Sequence, residues 1–373
     1  MIIGILKEPQ FDRRVALLPE NVKTLVGLKA EVIFEKDAGE RAFFANQSYI
    51  DAGGSVSERK ELLERSDLIV SINPLGKAEI GLLKSKQSIL TAFSPLSESD
   101  MVKDFVDNDI TSFSMDMVPR ISRAQSMDIL SSMATVAGYK AVLAAANHLP
   151  TFFPMFMTAA GTIRPSKILV LGAGVAGLQA VATARRLGAV VEVFDVRTAV
   201  KEQVESLGGK FVEVEGAKDD SSAGGYAVEQ SEEYKQKQQQ LIQDHAKKAN
   251  VVITTAQIPG LKAPILITKE TVENMIPGSV IVDLAASTGG NCELTKNNEI
   301  IEINNIKIIG NSNLANEMPS DASKMFGNNV INFMKLIIDE TGNLNLNFED
   351  EIVKGTCITH NKEIVNERVK LNK

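Results

Sequence analysis

Gly172, Gly174 and Gly177 fall in the spacing G-x-G-x-x-G, directly after the apolar run Ile168–Leu171 and before a segment of helical period. A second apolar run, Val190–Phe194, follows and stops at Asp195. Strand, tight turn, helix and acid-terminated strand are the parts of a dinucleotide fingerprint, and each has a task. Gly172 permits the sharp turn. Gly174 lets backbone approach a pyrophosphate with no Cβ in the way, and Gly177 lets the helix sit close on the sheet. The helix start offers unpaired N–H groups and a partial positive charge to phosphate. Asp195 can accept both ribose hydroxyls of an adenosine and would repel a 2′-phosphate. The full context predicts a bound NAD(H), against the plainer alternative of a glycine-rich turn without a ligand.

A second polar cluster lies upstream, in PRISRAQSMDILSS at residues 119–132. It gathers Arg120, Gln125, Asp128 and Ser131 at a predicted helix start. On a helix, Gln125, Asp128 and Ser132 would share a face, with Ser131 beside it. From pattern alone the favoured reading is a solvated helix start with capping serines.

The elements that must position these residues can be read coarsely. Over the first ~120 residues, short apolar runs alternate with helix-period segments, the rhythm of βα units on a parallel sheet. Strands are expected at Ile2–Leu6, Val32–Phe34, Leu68–Ile72, Ile89–Phe93 and Thr111–Met115, with no glycine fingerprint among them. Ser122–His148 reads as one proline-free helix. Later strands are expected at Val251–Thr255, Val280–Asp283 and Ile306–Ile309, with helices at 231–249, Thr268–Met275 and Ala322–Ile338. Residues 215–228 read as a long exposed loop, and the last ~35 residues as an irregular tail with short strands.

The expected architecture is α/β: two Rossmann-like doubly wound parallel-sheet domains joined by long helices, with the nucleotide in the cleft. Residues 1–125 with 320–373 form the first domain and 126–319 the NAD-binding one.

Composition narrows the function classes. With 373 residues and 44% apolar content, two cores are expected, and a net charge of −7 gives no basic surface for nucleic acid. Cys292 and Cys357 lack metal-ligand spacing, so no metal site and a reducing, cytosolic compartment are expected. No uninterrupted apolar run approaches a bilayer span, and the strand-like start MIIGIL gives no expectation of a signal or transit peptide.

PRISRAQSMDILSS, GYKAVL, FFPMFMTAAGT, LVLGAGVAGLQA, FDVR, the GGYA loop, TTAQIPG and VDLAASTGGNCE follow one another in this order. Together they resemble the NAD(H)-binding domain I of proton-translocating NAD(P) transhydrogenases over nearly the whole chain. The N-terminal GILKEP…RRVALLP is similar to alanine dehydrogenases as well. The resemblance implies that Arg120, Gln125, Asp128 and Ser131 line the nicotinamide end: Asp128 and Ser131 on the carboxamide, Arg120 on the ring, Gln125 towards the second nucleotide's domain. It implies Gly174, Val175, Ala176 and Gly177 at the pyrophosphate, and Asp195, Val196 and Arg197 at the adenosine ribose. Gly225 and Tyr226 belong to a segment, about 215–230, similar to the family's mobile loop. Ala256 and Gln257 lie near the nucleotide, although the family usually has an apolar residue where Gln257 stands, and Ser287–Thr288 also departs from its pattern. The implied partners are a second copy of the chain, an NADP(H)-binding domain and a membrane-spanning domain on separate subunits. They would hold this chain on the cytoplasmic face of the membrane.

Oxidising a hydroxyl or amine needs a base to take the proton. Alanine dehydrogenases use a lysine and a histidine in the first domain, where this chain has Asn73 and Ser94 or Pro95. His148, His245 and His360 lie elsewhere. Arg14, which matches the substrate-carboxylate position there, reads as a structural remnant. Hydride transfer between two nicotinamides needs alignment and no acid or base, which suits this residue set. The runner-up is an amino-acid dehydrogenase.

Overall fold

A computed structural model describes residues 1–213, 232–258 and 261–371. The strands are β1 (Ile2–Ile5), β2 (Glu31–Glu35), β3 (Ser55–Ser57), β4 (Leu68–Val70), β5 (Ser88–Thr91), β6 (Thr111–Ser114), β7 (Phe156–Thr158), β8 (Gly161–Ile163), β9 (Lys167–Leu171), β10 (Val190–Phe194), β11 (Lys210–Phe211), β12 (Val251–Thr254), β13 (Val280–Asp283), β14 (Ile300–Ile303), β15 (Ile306–Ile309), β16 (Cys357–His360) and β17 (Glu363–Ile364). Two compact units contain them: Met1–Met133 with Ala315–Lys373, and Ala134–Leu314.

The first unit carries an 8-stranded sheet in the order β17-β16-β6-β5-β4-β1-β2-β3. From β3 to β6 all pairs are parallel, and the order reverses between β1 and β4. Strands such as β4, β5 and β6 are buried along their whole length because helices cover both faces. The Pro319–Ile337 helix returns to this unit and buries Phe326, Val330 and Phe333 with Ile3, Phe34 and Phe113.

The C-terminal segment contains the expected short strands, but it is ordered rather than irregular, with helices at Glu351–Thr356 and Glu367–Leu371. β16 pairs antiparallel with β6 and β17 with β16. Cys357 and Ile358 are fully buried, and the Thr359 hydroxyl donates to the Ile110 carbonyl at 2.7 Å. A run as short as CITH carries too little alternation to announce a strand; the neighbouring strand supplies the register.

In the second unit the order is β11-β10-β9-β12-β13-β15-β14, parallel except for β14 against β15. The order reverses between β9 and β12, so the carboxyl ends of these strands form the switch-point crevice where ligands bind in such sheets. β7 and β8 form a separate antiparallel hairpin with Phe156, Met157 and Ile163 exposed, which the sequence did not announce.

Ser122–His148 is not one helix. Ser122–Met127 is a 3-10 turn, Asp128 is extended, and an α-helix runs over Ile129–His148. Gln125, Asp128 and Ser132 therefore do not share a helical face. The break has a local cause: the Asp128 carboxylate accepts the Ser131 N–H at 2.9 Å and the Ser131 hydroxyl at 2.6 Å, capping the new helix.

The same helix corrects the expectation about membrane spans. Its 20 residues, with mean hydropathy 1.4 over their most apolar window, pass the test of length and composition. Serines, a threonine, glycine and lysine interrupt the apolar run, which hid it from a search for uninterrupted stretches. Ala141, Val142 and Ala145 on it are fully buried in the second unit's core, and 33% of its most apolar window is buried.

Gly138 lets this helix approach the 175–186 helix: a Cβ there would lie 2.2 Å from the Ala176 carbonyl oxygen. Gly138→Ala should cost about 1–3 kcal/mol, the range for overpacking, read as a lowered urea midpoint. Gly27→Ala, where a Cβ meets nothing within 4 Å, should leave the midpoint unchanged or raise it.

Candidate functional site

The glycine turn begins where β9 ends. Gly172 has φ 105°, a conformation side chains resist. A Cβ on Gly177 would come within 1.8 Å of the Gly172 carbonyl oxygen, so only glycine lets the helix start this close to the strand end. Gly174 differs from both. Its φ is −78°, and a Cβ there would meet nothing within 4 Å. Neither backbone strain nor packing demands glycine at 174; the space beside it is open. The Val175–Arg186 helix that follows has no side-chain cap, which leaves its first N–H groups directed to that space.

Asp195 ends β10 beside the turn. Its carboxylate accepts the Ala173 N–H at 2.7 Å, the Arg197 N–H at 2.9 Å, and two bonds from the Arg197 guanidinium, each 2.9 Å. Burial alone would raise its pKa, but these hydrogen bonds outweigh burial and hold it below the ordinary carboxylate range. Asp195 is thus ionised and already ligated by Arg197, so a ribose would share or displace that guanidinium. Val196 is half-buried between them.

On the other side of the switch point, the Thr255 hydroxyl donates to the carbonyls of Leu171 and Gly172, each at 3.2 Å, tying the loop after β12 to the glycine turn. Ala256 is half-buried and Gln257 exposed; the Gln257 amide donates to the Leu284 carbonyl at 2.9 Å, so this polar departure is satisfied within the unit. Sequence reasoning missed what holds Ala256. Asn291, fully buried, accepts the Ala256 N–H at 3.0 Å and donates to the carbonyls of Ala256 at 2.9 Å and Pro264 at 2.8 Å. Asp283, also fully buried, accepts from the Asn291 and Cys292 N–H groups and the Thr254 and Thr295 hydroxyls. The available signal was polar residues directly after an apolar strand in VDLAASTGGNCE.

In the first unit, the 119–132 segment is anchored rather than simply solvated. Ala124 and Met127 are buried in the core. The Ser126 carbonyl accepts from Asn329 at 2.8 Å and Asn332 at 3.1 Å, and Arg123 makes a bidentate pair with Asp350 at 2.7 Å. These anchors fix a strap that leaves Arg120 and Gln125 exposed and Asp128 and Ser131 half-buried and joined. Gly225 and Tyr226 lie outside the described residues.

The first unit's own switch point, at the ends of β1 and β4, is filled. Asp12, 1% exposed, takes the Arg14 guanidinium at 2.6 and 2.9 Å, and the Asn73 amide bridges Asp12 and Glu8, each at 2.9 Å. Burial pushes Glu8 up to about 7, against hydrogen bonds from Ile72 and Asn73. Arg14 is therefore engaged within the fold.

The Alanine dehydrogenase/PNT N-terminal domain family matches residues 4–137, and its C-terminal domain family matches residues 141–367. The chain is 45% identical over 375 residues to an NAD(P) transhydrogenase alpha subunit of Rhodospirillum rubrum, covering 98% of each. It belongs to the NAD(P) transhydrogenase alpha-subunit family. A solved transhydrogenase from Sinorhizobium meliloti superposes with TM-score 0.90 at 40% identity, covering 98% of this chain and all of the other. An L-alanine dehydrogenase is more distant, with TM-score 0.82 and 25% identity over 100% of this chain and 99% of that one. Membership of the transhydrogenase family makes the chain part of an oxidoreductase and accounts for the paired Rossmann-like sheets.

The Glu8 assignment has a testable sign. Its folded pKa lies above the unfolded value near 4.5, so the stability it contributes is full below pH 4.5 and lost as pH rises through about 7. Glu8→Gln should flatten the fall of the urea midpoint between pH 4.5 and 7; an unchanged slope would remove Glu8 from this role.

Proposed function

We propose that this chain binds NADH and hands its hydride directly to NADP+ held on a partner domain, with the exchange coupled to proton movement by a membrane-spanning subunit. The observation that carries the nucleotide reading is Gly174. The fold gives no reason for a glycine there, whereas a pyrophosphate lying against the backbone does. Asp195 directs the adenosine half over β10. The alpha-subunit name of the relatives supports partner subunits, and with them a peripheral place on the cytoplasmic face of the membrane.

Arg120, Gln125, Asp128 and Ser131 act on the nicotinamide end. Asp128, held by Ser131, presents an acceptor to the carboxamide N–H2, and Arg120 fixes the ring. Gln125 helps align it with the second ring. Gly172, Val175, Ala176 and Gly177 shape the pyrophosphate seat, Val196 and Arg197 flank the adenosine ribose, and Ala256 and Gln257 border the nicotinamide half. No step needs a proton donor, so the contribution of these residues is alignment and exclusion of water. A second copy of the chain is the natural cover for the exposed Phe156, Met157 and Ile163 of the hairpin.

The deciding assay mixes the purified chain with NADH, an acetyl-pyridine NAD analogue and an NADP(H)-binding partner from a related enzyme. Partner-dependent hydride exchange is expected; alanine-dependent NAD reduction would favour the dehydrogenase instead. Gly174→Val should keep the melting temperature and lose at least tenfold in NADH affinity by calorimetry. Equal affinity for NADH and NADPH in the parent would contradict the role given to Asp195, since at least a tenfold preference for NADH is expected. Asp128→Asn should slow exchange far more than it weakens NADH binding, and full turnover in that variant would remove Asp128 from the site.

A further inference from the structure

On the NAD(H) reading above, the dinucleotide's two halves would fall on opposite sides of the switch point between β9 and β12. With the adenosine ribose at Asp195 on the β10 side, the nicotinamide half would extend over the loop that follows β12. Among the described residues of that loop, Ala256 lies outside any helix or strand. Its peptide is held by one side chain, Asn291, whose amide pairs with both the N–H and the carbonyl of Ala256 and also reaches the Pro264 carbonyl. An amide accepts and donates at once, whereas an ionised carboxylate of the same shape only accepts. Asn291 is in turn fixed by Asp283, which accepts its backbone N–H at 2.8 Å and ties it to β12 through the Thr254 hydroxyl at 2.9 Å. The side chains that hold this peptide are out of water: Asn291, Asp283, Cys292 and Thr254 are each fully buried.

We infer that Asn291 is a positioning residue for the nicotinamide half of the nucleotide, acting through the Ala256 peptide and itself oriented by Asp283. This rests on the NAD(H) reading above. Asn291 never touches the ligand; it sets the height and tilt of the backbone over which the nicotinamide ribose lies. The consequence is a division of labour within one crevice. The glycine turn and Asp195 hold the ADP portion without help from Asn291, and the loop after β12 governs only what lies beyond the pyrophosphate.

Asn291→Asp tests this because it keeps the shape and the acceptor for the Ala256 N–H while replacing the donor with a carboxylate that repels two carbonyls. Calorimetric titration of the variant at pH 8 should show NADH binding at least tenfold weaker and ADP binding within twofold of the parent. Lowering the pH protonates the new acid and restores a donor, so NADH affinity in the variant should recover towards pH 5, beyond any change in the parent. Asn291→Ala, with no donor at any pH, should show the NADH loss without the recovery. Equal weakening of NADH and ADP, or unchanged NADH binding, would overturn the inference while leaving the nucleotide reading intact. A parent chain that binds neither ligand would overturn the nucleotide reading, and this inference with it.

Discussion

The second unit is organised around one steric condition, the approach of the 175–186 helix to the end of β9. A Cβ at Gly177 would stand 1.8 Å from the Gly172 carbonyl oxygen, so that contact exists only with glycine at 177. Once it is made, the other parts find their places. The Thr255 hydroxyl reaches the two carbonyls at the strand end, Asp195 reaches the Ala173 N–H, and the helix start is turned towards open space at Gly174. The turn sets the floor from which the neighbouring loops measure their positions.

What the sequence made legible follows from how local each signal is. The glycine spacing and the acid at 195 are contained within about thirty residues, and the structure has them on the expected strands and helix. Continuous apolar runs such as Leu68–Val70 and Val280–Asp283 were equally readable, because strands buried on both faces need no alternation. Short strands were expected in the C-terminal segment, but not where they lie, since CITH becomes a strand only by pairing with β6, more than two hundred residues earlier. The break at Asp128 was hidden for a different reason. Helical periodicity runs straight through it, and only the side-chain bonds to Ser131 show that the aspartate ends one turn and begins another.

The supporting residues were the least legible of all. Asn291, Asn329 and Asp350 carry no spacing motif, and each acts on a segment remote in sequence. Their partners are mostly backbone groups, which any residue supplies, so no pattern of side chains marks the pairing. A reading of motifs identifies the groups that would meet a nucleotide and passes over those that hold them still.

The Asp195–Arg197 pair has a further meaning once the chain is regarded as a carrier. Before any nucleotide arrives, the acid that would receive the ribose already holds a ligand from two residues away. On the proposed NAD(H) reading, incoming ribose hydroxyls would exchange with the Arg197 guanidinium, which would return when they depart. Binding would then be a substitution of one partner of Asp195 for another. If the nucleotide leaves after every exchange proposed above, an internal understudy at the ribose would keep the pocket from becoming a trap.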